Sequence, residues 1–484
     1  MQQRPADPSS YSANSASSGY MSEDTIVSRI SGSGGAISVL RISGPATFKV
    51  VASLCSKDME FVDRRMERAR LRSESGEFLD DSMVAVFRGP NSFTGEDVAE
   101  IFLHGGPFIT SLVVREILRM GVRQALPGEF SFRAVRNGKL TIDQAQAIHD
   151  LVSATNGSAH GLALERLSGA QSKIFFEIAE RLRNTLVLAE AGIDFSDQDL
   201  DELELDRLKR PLPGIVDQLS SIASSIDRGR RIQEGVSLVL AGLPNAGKST
   251  LFNELLGQER SIISEEAGTT RDVIRESVRL RSASRRVEAT FVVHDTAGLR
   301  ETEGRIEKLG IELTRRAASS ADVVIFVVEP ESDAELVAAE WKRLGQPREK
   351  TIVALNKTDC LPGGRGGSAC RDEVQRWRLL MGAADAVALS AAGHDGVPEL
   401  VDILIARASE WVEREPSETI LTRQEQVDAV ERAMEHLNRA RQSDAHDIFA
   451  ADLRQTLDQL SFFIGATPVD DVLGRIFSQF CIGK

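Results

Sequence analysis

The chain of 484 residues has four cysteines, two tyrosines, three tryptophans and an aromatic content of 5%. Cys55, Cys360, Cys370 and Cys481 stand far apart, with no C-x-x-C pair. That excludes a disulfide framework and a zinc ribbon, and it predicts reduced thiols in a cytoplasm. No apolar run approaches the length of a membrane span. Positive charge is in deficit: 58 basic residues face 72 acidic ones, for a net charge of −14. Broad, sequence-independent phosphate binding is thereby disfavoured, while a local basic groove for RNA is still compatible with the count. The opening MQQRPADPSSYSANSASSGY has almost no apolar content and is expected to be disordered, with Met21 as an alternative start. It lacks both the apolar core of a secretory signal and the arginine-rich pattern of a transit peptide.

What is present is enough apolar sequence, 42%, for about three domains. From Thr25 to about Arg136, ISVLRISG and SMVAVFRG read as strands and FITSLVVREILRMG as a helix. Residues 140–235 are helical in pattern, with Leu167, Ala170, Ile174, Ile178, Leu182 and Leu186 expected on one face. Residues 236–404 return to strand–helix alternation, with SLVLAG, ATFVVHD, DVVIFVVE, TIVALNK and AVALSA as strands. Helices resume after Ala406, with Leu453, Leu457, Leu460 and Ile464 on one stripe. The fold class expected is multidomain α/β: an N-terminal α+β domain, then a helical domain with a P-loop domain of mostly parallel sheet inserted into it. The boundaries are 1–20 for the extension, 21–138, 139–235, 236–404 and 405–484.

GLPNAGKST (242–250) follows a strand and opens a helix, the context that makes G-x-x-x-x-G-K-[ST] specific. Gly242 and Gly247 let backbone N–H groups of Asn245, Ala246 and their neighbours curl around phosphates. Lys248 reaches the β and γ oxygens, Ser249 ligates magnesium, and Thr250 follows it into the helix. Further along, GTTRD supplies Thr270 as a second magnesium ligand. In DTAG, Asp295 holds that ion through water, and Thr296 and Ala297 lead to Gly298, whose N–H meets the γ-phosphate. NKTD selects guanine: Asp359 accepts from N1–H and the 2-amino group, Asn356 meets the O6/N7 side, and Lys357 and Thr358 complete the loop. Ser390, Ala391 and Ala392 offer N–H groups to O6. Five elements in this order predict a GTP-binding protein.

One residue is missing from that set. In Ras-type hydrolysis a glutamine after the D-x-x-G glycine orients the attacking water. HDTAGLR has Leu299 there, which neither donates nor accepts. An arginine finger or a monovalent cation on the phosphate oxygens can replace the charge-stabilising part. The amide oxygen of Asn245 suits such a cation; it equally suits a residue that merely tolerates a tight turn.

The G-domain elements resemble the TrmE–Era group of GTPases without separating its members. NSFTGEDVAEIFLHGG (91–106), PGEFSFRAVRNGKL (127–140) and LGRIFSQFCIGK (473–484) resemble the MnmE, or TrmE, family of tRNA uridine-modification GTPases. The resemblance runs from about Met21 to Lys484. It implies an N-terminal folate-binding and dimerisation domain, and a potassium ion held by Asn245, the main chain of Ser264 and Glu266, and Thr269. Glu265, Ala267 and Gly268 complete that loop, which reads SEEAG where many relatives have T-D-I-A-G. Glu307 in RIEKLGIE matches the family's water-orienting carboxylate, so potassium and Glu307 would together replace the glutamine. Arg41, Glu100, Lys139 and Lys484 match positions that contact 5-formyltetrahydrofolate, with 5,10-methylenetetrahydrofolate as the other form expected. Cys481 matches a cysteine suspected of a chemical role. The partners implied are a second copy of the chain, an FAD-containing MnmG-like protein in a heterotetramer, and tRNA, whose wobble uridine would be modified at C5. Two alternatives are an Era-type ribosome-assembly switch and a folate-dependent transferase regulated by its G domain.

Overall fold

The computed structural model describes residues 23–55 except 33, 61–194, 205–257, 275–294 except 283, 285 and 286, 315–412 except 316, and 418–465. The chain forms two compact units: residues 1–153, 163–221 and 425–484 make one, and 154–162 with 222–424 make the other.

The first unit contains a six-stranded sheet and a set of helices. The strands are β1 (Ile26–Arg29), β2 (Ile37–Ser43), β3 (Met66–Arg72), β4 (Phe78–Phe87), β5 (Val98–His104) and β6 (Arg123–Gln124), in the order β3-β4-β5-β2-β1-β6. All neighbours are antiparallel except β1 and β6. Side chains alternate between the faces of a strand. Leu40, Ile42, Val84, Val86, Ala99, Ile101 and Leu103 therefore pack on one side, against Val50, Val51 and Leu54 of helix Thr47–Leu54 and Val113 and Ile117 of helix Pro107–Arg119. The other face carries Arg41 and Glu100, directly opposite each other in the β2–β5 register.

The helical part of this unit draws on both ends of the chain. Helix His446–Ile464 packs along helix Ala170–Asp194, with the rings of Phe175 and Phe463 stacked at 3.7 Å. The faces differ from the sequence expectation by a rotation. In the first helix Phe175, Ile178, Leu182 and Ala189 are buried, and Ile174 and Leu186 lie half-exposed. Leu167 belongs to the preceding helix, Gly157–Leu167, because the chain turns at Gly169 with φ +83°. In the last helix the buried line is Phe449, Leu453, Leu460 and Phe463. Aromatic rings fill the seam better than Leu457 and Ile464, and each buried ring contributes roughly 1.5–3 kcal/mol. Gln426 donates to Asp143 at 2.8 Å across 283 residues of sequence, so the helices before and after the P-loop domain share one core.

The second unit is built on β7 (Val236–Gly242), β8 (Arg275–Arg281), β9 (Glu288–His294), β10 (Val323–Val328), β11 (Thr351–Leu355) and β12 (Asp385–Ala388), ordered β12-β11-β10-β7-β9-β8. Every pairing is parallel except β8 with β9. β7, β10 and β11 are buried along their whole length, as expected for central strands covered on both faces. Leu251 and Leu255 of helix Lys248–Leu256 and Leu400 and Leu404 of helix Val397–Val412 cover one face. Trp341 and Trp377 cover the other. No helix among the described residues is long and apolar enough to cross a membrane.

Candidate functional site: a guanine-nucleotide cradle and an arginine–glutamate pair

β7 ends in the phosphate loop. Gly242 has φ +132°, and a Cβ there would stand 2.2 Å from the carbonyl oxygen of Val327 on β10. Gly247, at φ +92°, would place a Cβ 2.1 Å from Asn356 Nδ2. Both glycines are therefore required by close backbone approach as well as by φ. Asn245 also adopts a positive φ, +63°, and is exposed on the loop. Lys248 opens the helix, and its Nζ donates to the carbonyls of Gly242 and Leu243 at 3.0 and 2.6 Å, which folds the ammonium over the loop. Ser249 and Thr250 lie exposed in the first helical turn.

The loop after β11 is tied to the phosphate loop by one side chain. Asn356, 3% exposed, donates from Nδ2 to the carbonyl of Ala246 at 2.8 Å and accepts from the N–H of Ala391 at 2.9 Å. Both ends of its amide are thus engaged within the protein, and only the second Nδ2 hydrogen is left for the O6/N7 side of a base. The sequence singled out Asn356 as a base contact; the geometry makes it first a tie between three loops. Lys357 has φ +58° and pairs with Glu329 at 2.6 Å. Thr358 hydrogen-bonds Leu389 through both its N–H and its hydroxyl. Asp359 is exposed, and a hydrogen bond from Ser390 holds its carboxyl below the usual carboxylate range. An anion is therefore kept where an N1–H and a 2-amino group would be read. Ser390 and Ala391 are buried and Ala392 is exposed beside them.

Ser264, Glu265, Glu266, Ala267, Gly268, Thr269, Thr270, Asp295, Thr296, Ala297, Gly298 and Glu307 lie outside the described residues, as do Cys481 and Lys484. Their anchoring strands are described. β8 follows the first of these segments and β9 precedes the second, and Arg275 pairs with His294 at that end. His294, the last residue of β9, lies opposite Val239 of β7, the strand that feeds the phosphate loop. At the opposite end the hairpin is held down by Ser282 and Ser284, which donate to Asp402 at 2.6 and 2.8 Å.

In the first unit, Arg41 donates to Glu100 from Nε at 3.0 Å and from a terminal nitrogen at 2.8 Å. Both bonds fall on Oε1, so Oε2 has lone pairs to offer. The guanidinium sits 4.6 Å from the ring centre of Phe93 and 5.5 Å from that of Phe130. Lys139 runs its stem against Gly95, so Arg41 and Lys139 border the same loop. Phe93 and Phe130 went unremarked in the sequence, although both sit in the stretches 91–106 and 127–140. Also unremarked was Arg133, fully buried and paired with Asp24, Glu96 and Glu129 at 2.9, 3.0 and 2.9 Å.

A glycine-rich loop between a buried parallel strand and a helix, tied by Asn356 to an N-K-x-D loop, defines a P-loop GTPase. Comparison with known proteins narrows the class. The chain belongs to the MnmE family: "MnmE helical domain" matches residues 142–481, and "GTP-binding protein TrmE N-terminus" matches residues 25–139. Among curated relatives, the tRNA modification GTPase MnmE of Psychrobacter arcticus is 34% identical over 461 residues, 93% of this chain and 94% of that one. The protein of the same name from Haemophilus influenzae is 36% identical over 473 residues, 96% of this chain and all of the other. A solved structure, Era of Aquifex aeolicus bound to GDP and aluminium fluoride, matches 41% of this chain and 66% of its own at 21% identity. Its TM-score of 0.28 is too low to add to the fold assignment.

Proposed function

We propose that this chain is a potassium-stimulated GTPase that modifies C5 of the wobble uridine of tRNA, with a carboxymethylaminomethyl-type product. It would act as a homodimer together with a flavin-dependent MnmG-like partner and use a tetrahydrofolate one-carbon unit. The observation that carries the GTP part is the pair of hydrogen bonds of Asn356, donated to Ala246 and accepted from Ala391, which joins the phosphate loop to the guanine-reading loops in one cradle. Hydroxyl and amide oxygens are hard ligands, and the exposed Ser249 and Asn245 fit magnesium and potassium respectively. When bound, the two cations would neutralise charge developing on the phosphate oxygens. Ser249 with Thr270 would hold magnesium, and Asn245, Ser264, Glu266 and Thr269 would hold potassium. The protein's own steps are then distinct. Lys248 turns from the loop carbonyls toward phosphate, Asp359 fixes guanine, and Glu307 orients the attacking water in place of the glutamine that is absent at Leu299.

The open lone pairs of Glu100 Oε2 support the folate part, because a pterin N3–H and 2-amino group need a carboxylate acceptor. Arg41 fixes that carboxylate by its two bonds to Oε1, and Phe93 and Phe130 fix Arg41. Lys139, with Lys484, would meet the carboxylate tail. GTP turnover measured in potassium, sodium, caesium and choline salts tests the first part, with Glu307→Ala alongside. Potassium should accelerate wild type strongly and the variant little; equal rates in all four salts would refute it. Titration of 5-formyltetrahydrofolate tests the second: Glu100→Ala should lose binding, and unchanged affinity would remove Glu100 from the site.

A further inference from the structure

We propose that the arginine-rich strand β3 and the residues leading into it form an RNA-docking stripe that receives the backbone of the tRNA substrate. This rests on the tRNA-modification reading given above and assigns that substrate a surface. Residues 61–72, FVDRRMERARLR, contain five arginines against Asp63 and Glu67, in a chain whose net charge is −14. The strand places them in order. Ala69 and Leu71 point into the core, so Met66, Arg68, Arg70 and Arg72 share the face turned away from the helices, and all four are exposed. Arg64 and Arg65 continue the run at the strand's start, both exposed.

Not all of this charge is neutralised by the protein. Arg68 is held by Asp81, its Nε 2.8 Å from Oδ1. Arg65 has only a loose pairing with Glu67 at 3.9 Å, and Arg72 bonds a neutral carbonyl, that of Gly76, at 2.9 Å. Arg70 makes no ion pair within 4.0 Å among the described residues, although Asp81, already bonded to Arg68, stands opposite it in the register and shares its charge with both. Successive same-face residues on a strand are about 6.6–6.8 Å apart, which spreads the guanidinium groups into a line rather than a knot. Exposed apolar side chains flank the line: Phe78 stands opposite Arg72 in the register and is 53% exposed, with Met66 50% and Val62 51% at the other end. Guanidinium groups for phosphate with an exposed ring for a base are the two parts of a nucleic-acid surface.

β3 is the terminal strand of its sheet, and charges on such a strand also deter edge-to-edge aggregation. One or two charges suffice for that, and an arginine at each of three successive same-face positions exceeds it. The register also links the stripe to the Arg41–Glu100 pair. Met66 lies across from Ala85, Ala85 from Glu100 and Glu100 from Arg41, all on one sheet face. RNA lying along β3 would therefore run about two strand spacings, ~10 Å, from the row that holds Glu100.

The test is fluorescence anisotropy with a labelled tRNA transcript and the full chain, from 50 to 200 mM potassium chloride. The N-terminal triple variant carries Arg65→Gln, Arg70→Gln and Arg72→Gln, and leaves the Arg68–Asp81 pair intact. A control triple of equal charge change, Arg343→Gln, Arg371→Gln and Arg376→Gln, sits on exposed helices of the other unit. The N-terminal triple should raise Kd by at least about tenfold and reduce the slope of log K against log salt by about 2–3, with thermal unfolding and oligomeric state unchanged. The control should bind within about twofold of wild type. Wild-type affinity in the N-terminal triple, or equal weakening in both triples, overturns the stripe alone. A changed oligomeric state with unchanged RNA affinity overturns it in favour of a protein interface. Failure of the wild-type protein to bind tRNA would overturn the substrate reading as well.

Discussion

Truncation of Asn356 to alanine removes two hydrogen bonds at once and is the sharpest test of the cradle. Its Nδ2 bond to Ala246 and its Oδ1 bond from Ala391 are 2.8 and 2.9 Å long, and the partner residues are 0% and 2% exposed. Both groups are buried, so the Ala246 carbonyl and the Ala391 N–H would each lose a partner, at about 1–3 kcal/mol apiece. The sum, about 2–6 kcal/mol, falls on the loops that surround the nucleotide, and 2 kcal/mol alone corresponds to roughly a 30-fold change in affinity. Titration with a fluorescent GDP analogue should show at least that weakening. Gly247→Ala adds a control by coupling. Its Cβ would lie 2.1 Å from Asn356 Nδ2, so in wild type it both strains φ and displaces the asparagine. In the Asn356→Ala background the collision is gone and only the strain is left, about 1–2 kcal/mol. The two substitutions should therefore be clearly less than additive. If Asn356→Ala binds GDP within about threefold of wild type, or if the double variant is strictly additive, Asn356 is not the tie described.

Arg133→Met should destabilise the first unit by about 3 kcal/mol, because Glu129, Glu96 and Asp24 would lose the buried guanidinium that joins all three, and only Arg123, on Asp24 and Glu129, and Arg136, on Glu96, would remain to offset their charge; a urea melt showing less than about 1 kcal/mol would refute this. Burial pushes the Asp80 carboxyl up, but hydrogen bonds from His104, Ser82 and the Asp81 N–H outweigh it and hold it below the usual range. Its contribution is therefore fully present above the unfolded pKa of about 3.9 and is lost as pH falls through the lower folded value. Asp80→Asn should flatten the loss of stability on that acid limb, and parallel urea midpoints for variant and wild type below pH 4 would contradict it. Among the described cysteines, Cys360 is exposed, whereas burial pushes the Cys55 thiol up to about 12. Maleimide at pH 8 should label Cys360 in the folded protein and reach Cys55 only on unfolding, as read by peptide mass spectrometry.

The parts legible from sequence were those whose chemistry is local. GLPNAGKST could be placed between a strand and a helix because glycine, lysine and serine each have a reason to occupy their position within nine residues. The central strands β7, β10 and β11 were readable as unbroken apolar runs for the same reason. β3 and β8, MERARLR and RESVRLR, were not recognised as strands. Their outward residues are arginines, so few apolar positions remain to mark the period of two. The helix faces were rotated because periodicity weights Leu457 and Ile464 equally with Phe449 and Phe463, and packing does not.

What sequence could not supply is the second end of a long-range bond. Asn356 was read as a base contact because its motif says so, and nothing near residue 356 indicates that its amide is already occupied by a loop 110 residues away. Arg133 has the same character. Its i, i+4 partner Glu129 is visible in GEFSFR, but Asp24 lies 109 residues distant and Glu96 lies 37. A buried guanidinium is stable only when all its carboxylates arrive together, so one visible partner gives no sign that the group is buried at all. In both cases the residue's type is set by local chemistry and its role by the fold. A motif therefore names the residue types at a site, and the hydrogen-bond partners decide which of them remain available to a ligand.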